Sequence, residues 1–286
     1  QRGRDFGIML ACLVQLGYRV EWRVVNAAEY GAAQRRRRVF IFGYKKNTNY
    51  AKRMDMIETG ELIKRKGFFA RAFNIEGFGS MKTTVLPYHD ISNVSAKQLL
   101  GEGDKNGNTD LIEMSNTYEY AFLNSGYVKN ADVYTCETSA KVEEPIKLID
   151  ILQRDVDERY YIPAEQLEKW VYLKGHKKIE RTAKNGHKYI FSEGTINFPD
   201  PINKPSRTML TSEATVNRST HIVADPSTGM LRLLTPIEAE RLQGFDDNWT
   251  DTGMPEKFRY FCMGNALVVP MITRMGNILT GIFMHE

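Results

Sequence analysis

The sequence predicts an α/β protein from three observations. Within residues 5–44 a helical pattern, an alternating strand pattern and a short apolar strand follow one another. A capped helix signature stands at residues 235–244. An apolar stretch, residues 263–283, reads as a helix packed inside a larger assembly. Between these ends, from about Lys45 to Val223, periodicity weakens into polar, turn-rich, aromatic-studded sequence with no repeat.

Taken in order, DFGIMLACLVQL (5–16) places Phe6, Met9, Leu10, Leu13 and Leu16 on one helical face. Asp5 is its expected N-cap and Gly17 its stop. YRVEWRVVN (18–26) alternates through Val20, Trp22 and Val24, which predicts a half-buried strand. VFIFGY (39–44) predicts a fully buried one. KLIDILQRDVDERYYIP (147–163) reads as a short helix and connector, and QLEKWVYLKG (166–175) as a second helix.

In LRLLTPIEAERLQGF (231–245), Thr235 caps, Pro236 takes the first helical position, Glu238 completes a capping box and Gly244 stops the helix. Glu238 and Arg241, three apart, are placed to pair across that helix. Asn265 is the expected N-cap of the last helix, with Pro270 late in its first turn.

The 286 residues suffice for one large or two modest domains, and a net charge of +4 tilts only mildly towards polyanionic partners. Cys12, Cys136 and Cys262 have no C-x-x-C spacing, which predicts a reducing, cytoplasmic setting. The five histidines lack zinc-like spacing, so no metal site is expected. GEGDKNGNTD (101–110) has the look of a calcium loop, but a register from Asp104 puts Thr109 and Ser115 where glycine and glutamate belong. It reads as a solvent loop. No apolar run is long enough to span a bilayer, so no membrane partner is expected. The chain begins at Gln1, without methionine, and enters a structured pattern at once, as a fragment or processed chain would.

Four arginines in QRRRRVF (34–40) run straight into an apolar strand, where a charge run normally lies on a solvated face. Three stretches together resolve this. VNAAEYGAAQRRRRVFIFG (25–43) resembles the eighth motif of the DNA (cytosine-5)-methyltransferase family, Gln-x-Arg-x-Arg between two strands, with Gln34, Arg36 and Arg38 on the motif positions. LRLLTPIEAERLQGF resembles the ninth motif and GNALVVP (264–270) the tenth, in family order.

The resemblance implies the C-terminal part of a Rossmann-like methyltransferase domain plus a smaller mixed α+β target-recognition domain. Residues 1–44 and 230–286 would belong to the catalytic domain, and 45–229 to the recognition domain. The implied function is methylation of cytosine at a specific duplex DNA sequence with S-adenosylmethionine as cofactor, as in restriction-modification. Strand alternation sets Gln34, Arg36 and Arg38 on one side and Arg35 and Arg37 on the other. The family turns the first set to DNA phosphates and the flipped cytosine, with Arg38 near the base's carbonyl oxygen. In KPSRTMLTSEATVNRSTH (204–221), Thr208 or Thr211 would meet the DNA backbone, with Thr211 favoured. Asn265 and Ala266 would border the cofactor; the alanine replaces a serine of some relatives.

The family's nucleophilic cysteine follows a proline, its glutamate stands in Glu-Asn-Val, and its cofactor lies on a glycine-rich first motif. None of these is present, and no cysteine here follows a proline. The resemblance therefore implies a catalytic N-terminal domain or companion subunit as partner, and a segment inactive alone. A non-catalytic DNA-recognition subunit and an inactive remnant are the alternatives. KGHKKIERTAKNGHKY (174–189) is basic enough to meet DNA, or is a charged hairpin and no more.

Overall fold

The computed structural model describes residues 3–86 and 118–286, so the supposed calcium loop 101–110 lies outside the described residues. They form two compact units. One comprises the described residues of 3–25, 37–86, 118–142 and 273–286, the other 26–36 and 143–272. These bounds follow compactness and differ from the segmentation expected at 44 and 229.

In the first unit, helix α1 (Arg4–Gln15) is followed by β1 (Tyr18–Asn26) and β2 (Arg37–Lys45). Gly17 ends the helix at φ 79° as expected, but the N-cap is Gly3, and Asp5 lies inside the first turn. The buried face is also rotated from the expected one. Gly7, Leu10, Ala11 and Val14 face inward, while Met9 and Leu16 are exposed. Small residues decide this: a Cβ on Gly7 would sit 2.3 Å from the Tyr118 ring.

The helices α2 (Asn49–Asp55) and α3 (Phe68–Ala72) lead to β3 (Ile75–Phe78) and β4 (Lys82–Val85). After the undescribed segment come β5 (Ser125–Lys129), β6 (Asp132–Cys136) and β7 (Thr138–Ala140). The main sheet runs β2-β1-β5-β6-β4, and β3 pairs with β7 apart from it.

β1 is buried on both faces rather than one. Val20 and Trp22 join Leu10, Val14, Val128 and Val133 in an apolar cluster. On the opposite face Arg19 grips the Asp55 carboxylate, and Arg23 donates to the carbonyls of Ile63, Phe69 and Phe73. β2 departs the other way: it is a sheet edge with alternating burial, not a fully buried strand. Phe42 stacks on Phe68 at 3.9 Å and Tyr44 meets Tyr50, while Val39 and Ile41 face out.

The second unit replaces the helix expected at 147–163 with 3₁₀ turns at Leu148–Ile151 and Glu158–Tyr160. Helix α4 (Leu167–Lys174) matches its expectation. A ribbon of β8 (Lys177–Thr182) and β9 (Lys188–Glu193) follows, then the pair β10 (Ile222–Ala224) and β11 (Leu231–Leu233). Helix α5 (Pro236–Gln243) has the expected capping box, Pro236 in its first turn and Gly244 at φ 80°. Leu148, Met209, Val223, Leu234, Leu242 and Tyr260 form the core.

The end of the chain divides differently from the expectation. Helix α6 (Glu256–Asn265), which no pattern had signalled, takes up Met263 to Asn265. Helix α7 then runs Val269–Phe283. Asn265 is therefore no N-cap: it is the last residue of α6, and its amide donates to the Phe261 carbonyl. Pro270 is the second residue of α7, where its missing donor breaks no helical bond. Among the described residues no single helix is long and apolar enough to cross a membrane.

Candidate functional site

The second unit brings the eighth-, ninth- and tenth-motif residues to one buried node. The chain enters it through an isolated parallel bridge between Gln34 and Ser206. The Ser206 amide donates to Ala33 and the Arg35 amide to Ser206, so 33–35 and 206 run locked together. Thr208 adds its hydroxyl to the Arg35 carbonyl at 2.6 Å.

Gln34 is fully buried and Arg36 nearly so. The Gln34 amide nitrogen donates to the Leu242 carbonyl at 3.3 Å, and its oxygen accepts from the Met209 amide at 2.9 Å. Arg36 donates to the Met209 carbonyl at 2.9 Å and to the Gly264 carbonyl at 2.8 Å. Here the two side chains serve the protein's own main chain, where an unpaired buried carbonyl would be costly. A long planar fork suits Arg36 to join two carbonyls from distant segments.

Gly264 belongs to the same node. A Cβ there would lie 2.4 Å from the Thr211 amide, so only glycine admits that backbone approach. Gln243 closes the ring by donating to the Met263 carbonyl at 2.6 Å.

Sequence reasoning missed Gln243, Gly264 as a contact and Arg232. Their signal was faint: a glutamine, a glycine and an arginine without periodicity. Arg232, wholly buried, donates to Asp225 at 2.6 Å and to both oxygens of Glu238 at 2.8 and 2.9 Å. Glu238 also accepts from the amides of Thr235 and Gln153. The expected Glu238–Arg241 surface pair is thus not formed, and Arg241 clasps Asp247 instead. Burial works to raise the Asp225 carboxyl, but Arg232 and the amides of Ser227 and Thr228 hold it below its ordinary range.

The remaining candidates stand apart from the node's interior. Thr211 is exposed, and its hydroxyl has no partner among the described residues, whereas that of Thr208 is already engaged. Asn265 is exposed at the end of α6 and Ala266 half-buried beside it. Arg38 is half-buried in β2, in the first unit, and donates to the Arg37 carbonyl at 2.8 Å.

Cys136 is buried at the end of β6, and burial pushes its thiol up to about 11. Such a thiol is a poor nucleophile at neutral pH. Cys12 and Cys262 are half-buried. Among the described residues no three His, Cys, Asp or Glu side chains gather to hold a metal ion.

The family model of C-5 cytosine-specific DNA methylases matches residues 1–280. Type II methyltransferase M.Sau3AI of Staphylococcus aureus is 50% identical over 277 residues, covering 97% of this chain and 62% of that protein. Type II methyltransferase M.NlaIV of Neisseria lactamica is 23% identical, covering 94% of this chain and 66% of its own length. This chain therefore spans less than two thirds of the length of either relative. Among solved structures, a DNMT2 variant of Spodoptera frugiperda covers 92% of the chain and 58% of its own at 12% identity and TM-score 0.45, too loose a likeness to carry an argument. The family match runs over nearly the whole sequence, and on it the chain belongs to the C-5 cytosine-specific DNA methylases.

Proposed function

We propose that this chain is the C-terminal, DNA-recognising portion of a DNA (cytosine-5)-methyltransferase that methylates cytosine at a specific duplex sequence. S-adenosylmethionine supplies the methyl group when bound. The catalytic cysteine and glutamate, and the glycine-rich cofactor pocket, come from an N-terminal part or a companion chain. The observation that carries this reading is the node in which Gln34, Arg36 and Gln243 hold the three motif segments together by main-chain contacts.

In this reading Gln34 and Arg36 keep the motif loops in shape. Arg38 contacts the flipped base, and the free hydroxyl of Thr211 contacts a phosphate. Asn265, exposed, and the small, half-buried Ala266 fit a bordering place at the cofactor, but no glycine-rich cradle adjoins them in the sequence. The outward Val39 and Ile41 on the edge strand β2 support a partner domain, because an uncovered apolar edge invites pairing.

The test joins the chain to the catalytic half of a relative and follows radiolabelled methyl transfer to DNA, with bisulfite sequencing to locate the product. The joined enzyme should methylate cytosine at one sequence, and the chain alone should transfer nothing. Robust transfer by the purified chain alone would overturn the division of labour, and an assembled but inactive enzyme would favour a recognition-only subunit.

A further inference from the structure

Resting on that reading, we infer that the β8–β9 ribbon enters a groove of duplex DNA, with its apex reading base edges and its lysines holding phosphates.

The ribbon pairs six residues with six, from Lys177 opposite Glu193 to Thr182 opposite Lys188. At ordinary strand rise it reaches about 20 Å. Nine of its twelve strand residues are exposed, including Ile190 at 65%. A bare two-stranded ribbon is marginal in water, so its persistence needs a cause.

The cause lies at its root. Arg218 donates to the carbonyls of Leu173 and Gly175 at 3.1 and 3.0 Å, and to that of Gly194 across the ribbon's stem. It also approaches Glu193, as does Lys177, both at 3.6 Å. The buried Lys174 ammonium donates to the Thr220 carbonyl, and the Ile196 amide to the Lys174 carbonyl. The stem is therefore tied to residues 218–220, a few residues along from Thr211. The base is fixed and the tip is bare.

The tip has the geometry of a reader. The Ala183 amide donates to His187 at 2.8 Å and the Gly186 amide to Ala183 at 2.9 Å. Gly186, at φ 82°, lets the chain turn sharply, and a Cβ there would meet nothing within 4 Å. Lys184 and Asn185 thus stand at the apex. Lys178 and Lys188 share one face of the ribbon, with Glu180 between them, and neither lysine has an ion pair among the described residues. On the other face Arg181 lies 3.9 Å over the Phe191 ring.

Five Lys and Arg stand against two glutamates along the ribbon, Lys177 and Glu193 partly cancelling at the root. The uncancelled charge concentrates towards the tip, as a polyanion would require. A two-stranded ribbon fits the major groove, lysine can read guanine and asparagine adenine there. An apolar protein partner would need a contiguous apolar face. Here Ile179, Tyr189 and Phe191 share theirs with Arg181, and Ile190 lies on the opposite one.

The test uses the whole 286-residue chain and fluorescein-labelled duplexes. A randomised duplex pool defines the sequence it enriches, and anisotropy titrations over a salt series compare that sequence with a scrambled one. The double variant Lys178→Ala/Lys188→Ala should weaken binding to both duplexes and shrink the log–log salt slope by about 2. Lys184→Ala and Asn185→Ala should each cost roughly tenfold on the enriched duplex and far less on the scrambled one. The two lysine variants should keep the wild-type melting temperature, since they touch only exposed side chains, whereas Asn185→Ala should lower it slightly, because the Asn185 Oδ1 accepts from the His187 amide at 3.2 Å.

A chain that binds no duplex, or variants with unchanged affinity and slope, would overturn the inference. Equal losses on both duplexes for the apex variants would overturn its base-reading part. An assembled enzyme that methylates DNA without any dependence on the ribbon defeats this inference and leaves the proposed function standing. Ribbon-dependent binding without methyl transfer does the reverse.

Discussion

Arg36 and Gly264 are 228 residues apart, yet the Arg36 guanidinium donates to the Gly264 carbonyl at 2.8 Å while its other terminal nitrogen donates to Met209. One side chain thus holds the eighth and tenth motif segments and the hydroxyl-rich loop in a single arrangement. The arginine run continues into an apolar strand because alternate members point inward: Gln34 and Arg36 are buried, Arg35 and Arg37 exposed.

Arg36→Ala should therefore destabilise the chain by about 3 kcal/mol, since two buried carbonyls lose charged donors. Arg36→Lys should recover little, because an ammonium cannot span both acceptors in one plane. Arg35→Ala should be nearly neutral. Urea midpoints of the three variants read this directly, and equal midpoints for Arg35→Ala and Arg36→Ala would contradict it.

The closeness of Gly264 to Thr211 gives a sharper comparison. Gly264→Ala must displace backbone, so a loss of about 1–3 kcal/mol is expected. Gly276→Ala, in α7 with open space around it, should instead gain about 0.5–1 kcal/mol from helix propensity. Thermal melts of opposite sign are the predicted result, and a stabilised Gly264→Ala would refute the close approach.

Glu21 should make stability depend on pH. Burial raises its carboxyl from 4.5 to about 7, against the opposing amides of Phe68 and Phe69 and the charge of Arg23. The folded state then holds the proton more tightly than the unfolded one. Its contribution is full below about 4.5, declines as pH rises, and is lost above about 7. The difference is ~3 kcal/mol by order of magnitude. Urea titrations at pH 5.5 and pH 8, read on tryptophan fluorescence, should show the wild type weakening and Glu21→Gln holding nearly level. A Glu21→Gln variant with the full wild-type pH dependence would place the titration elsewhere.

In the proposed function Arg38 and Arg37 separate chemistry from charge. In the assembled enzyme Arg38→Ala should lower turnover by ~10²-fold, as loss of one preorganised donor does. Arg37→Ala, on the exposed side, should change turnover little. Single-turnover methylation rates measure both, and equal losses would show that the strand register does not set the role.

By itself the sequence determined the family, the order of the three motifs, and the local devices that need only a few neighbouring residues. Thr235, Pro236, Glu238 and Gly244 cap and end α5 as read, and Gly17 ends α1. Such signals survive because a cap or a left-handed turn is a local steric and hydrogen-bonding matter. Tertiary structure alone decided where burial falls. Gly7 and Ala11, not Met9 and Leu16, face the core of α1, because the nearby Tyr118 ring needs small partners. β1 buries Arg19 and Arg23 because a carboxylate and carbonyls from distant segments pay their desolvation, and Glu21 because the amides of Phe68 and Phe69 meet it. Gln34 and Arg36 turn inward for the same reason: the carbonyls of Met209, Leu242 and Gly264 arrive from segments that no window of sequence contains.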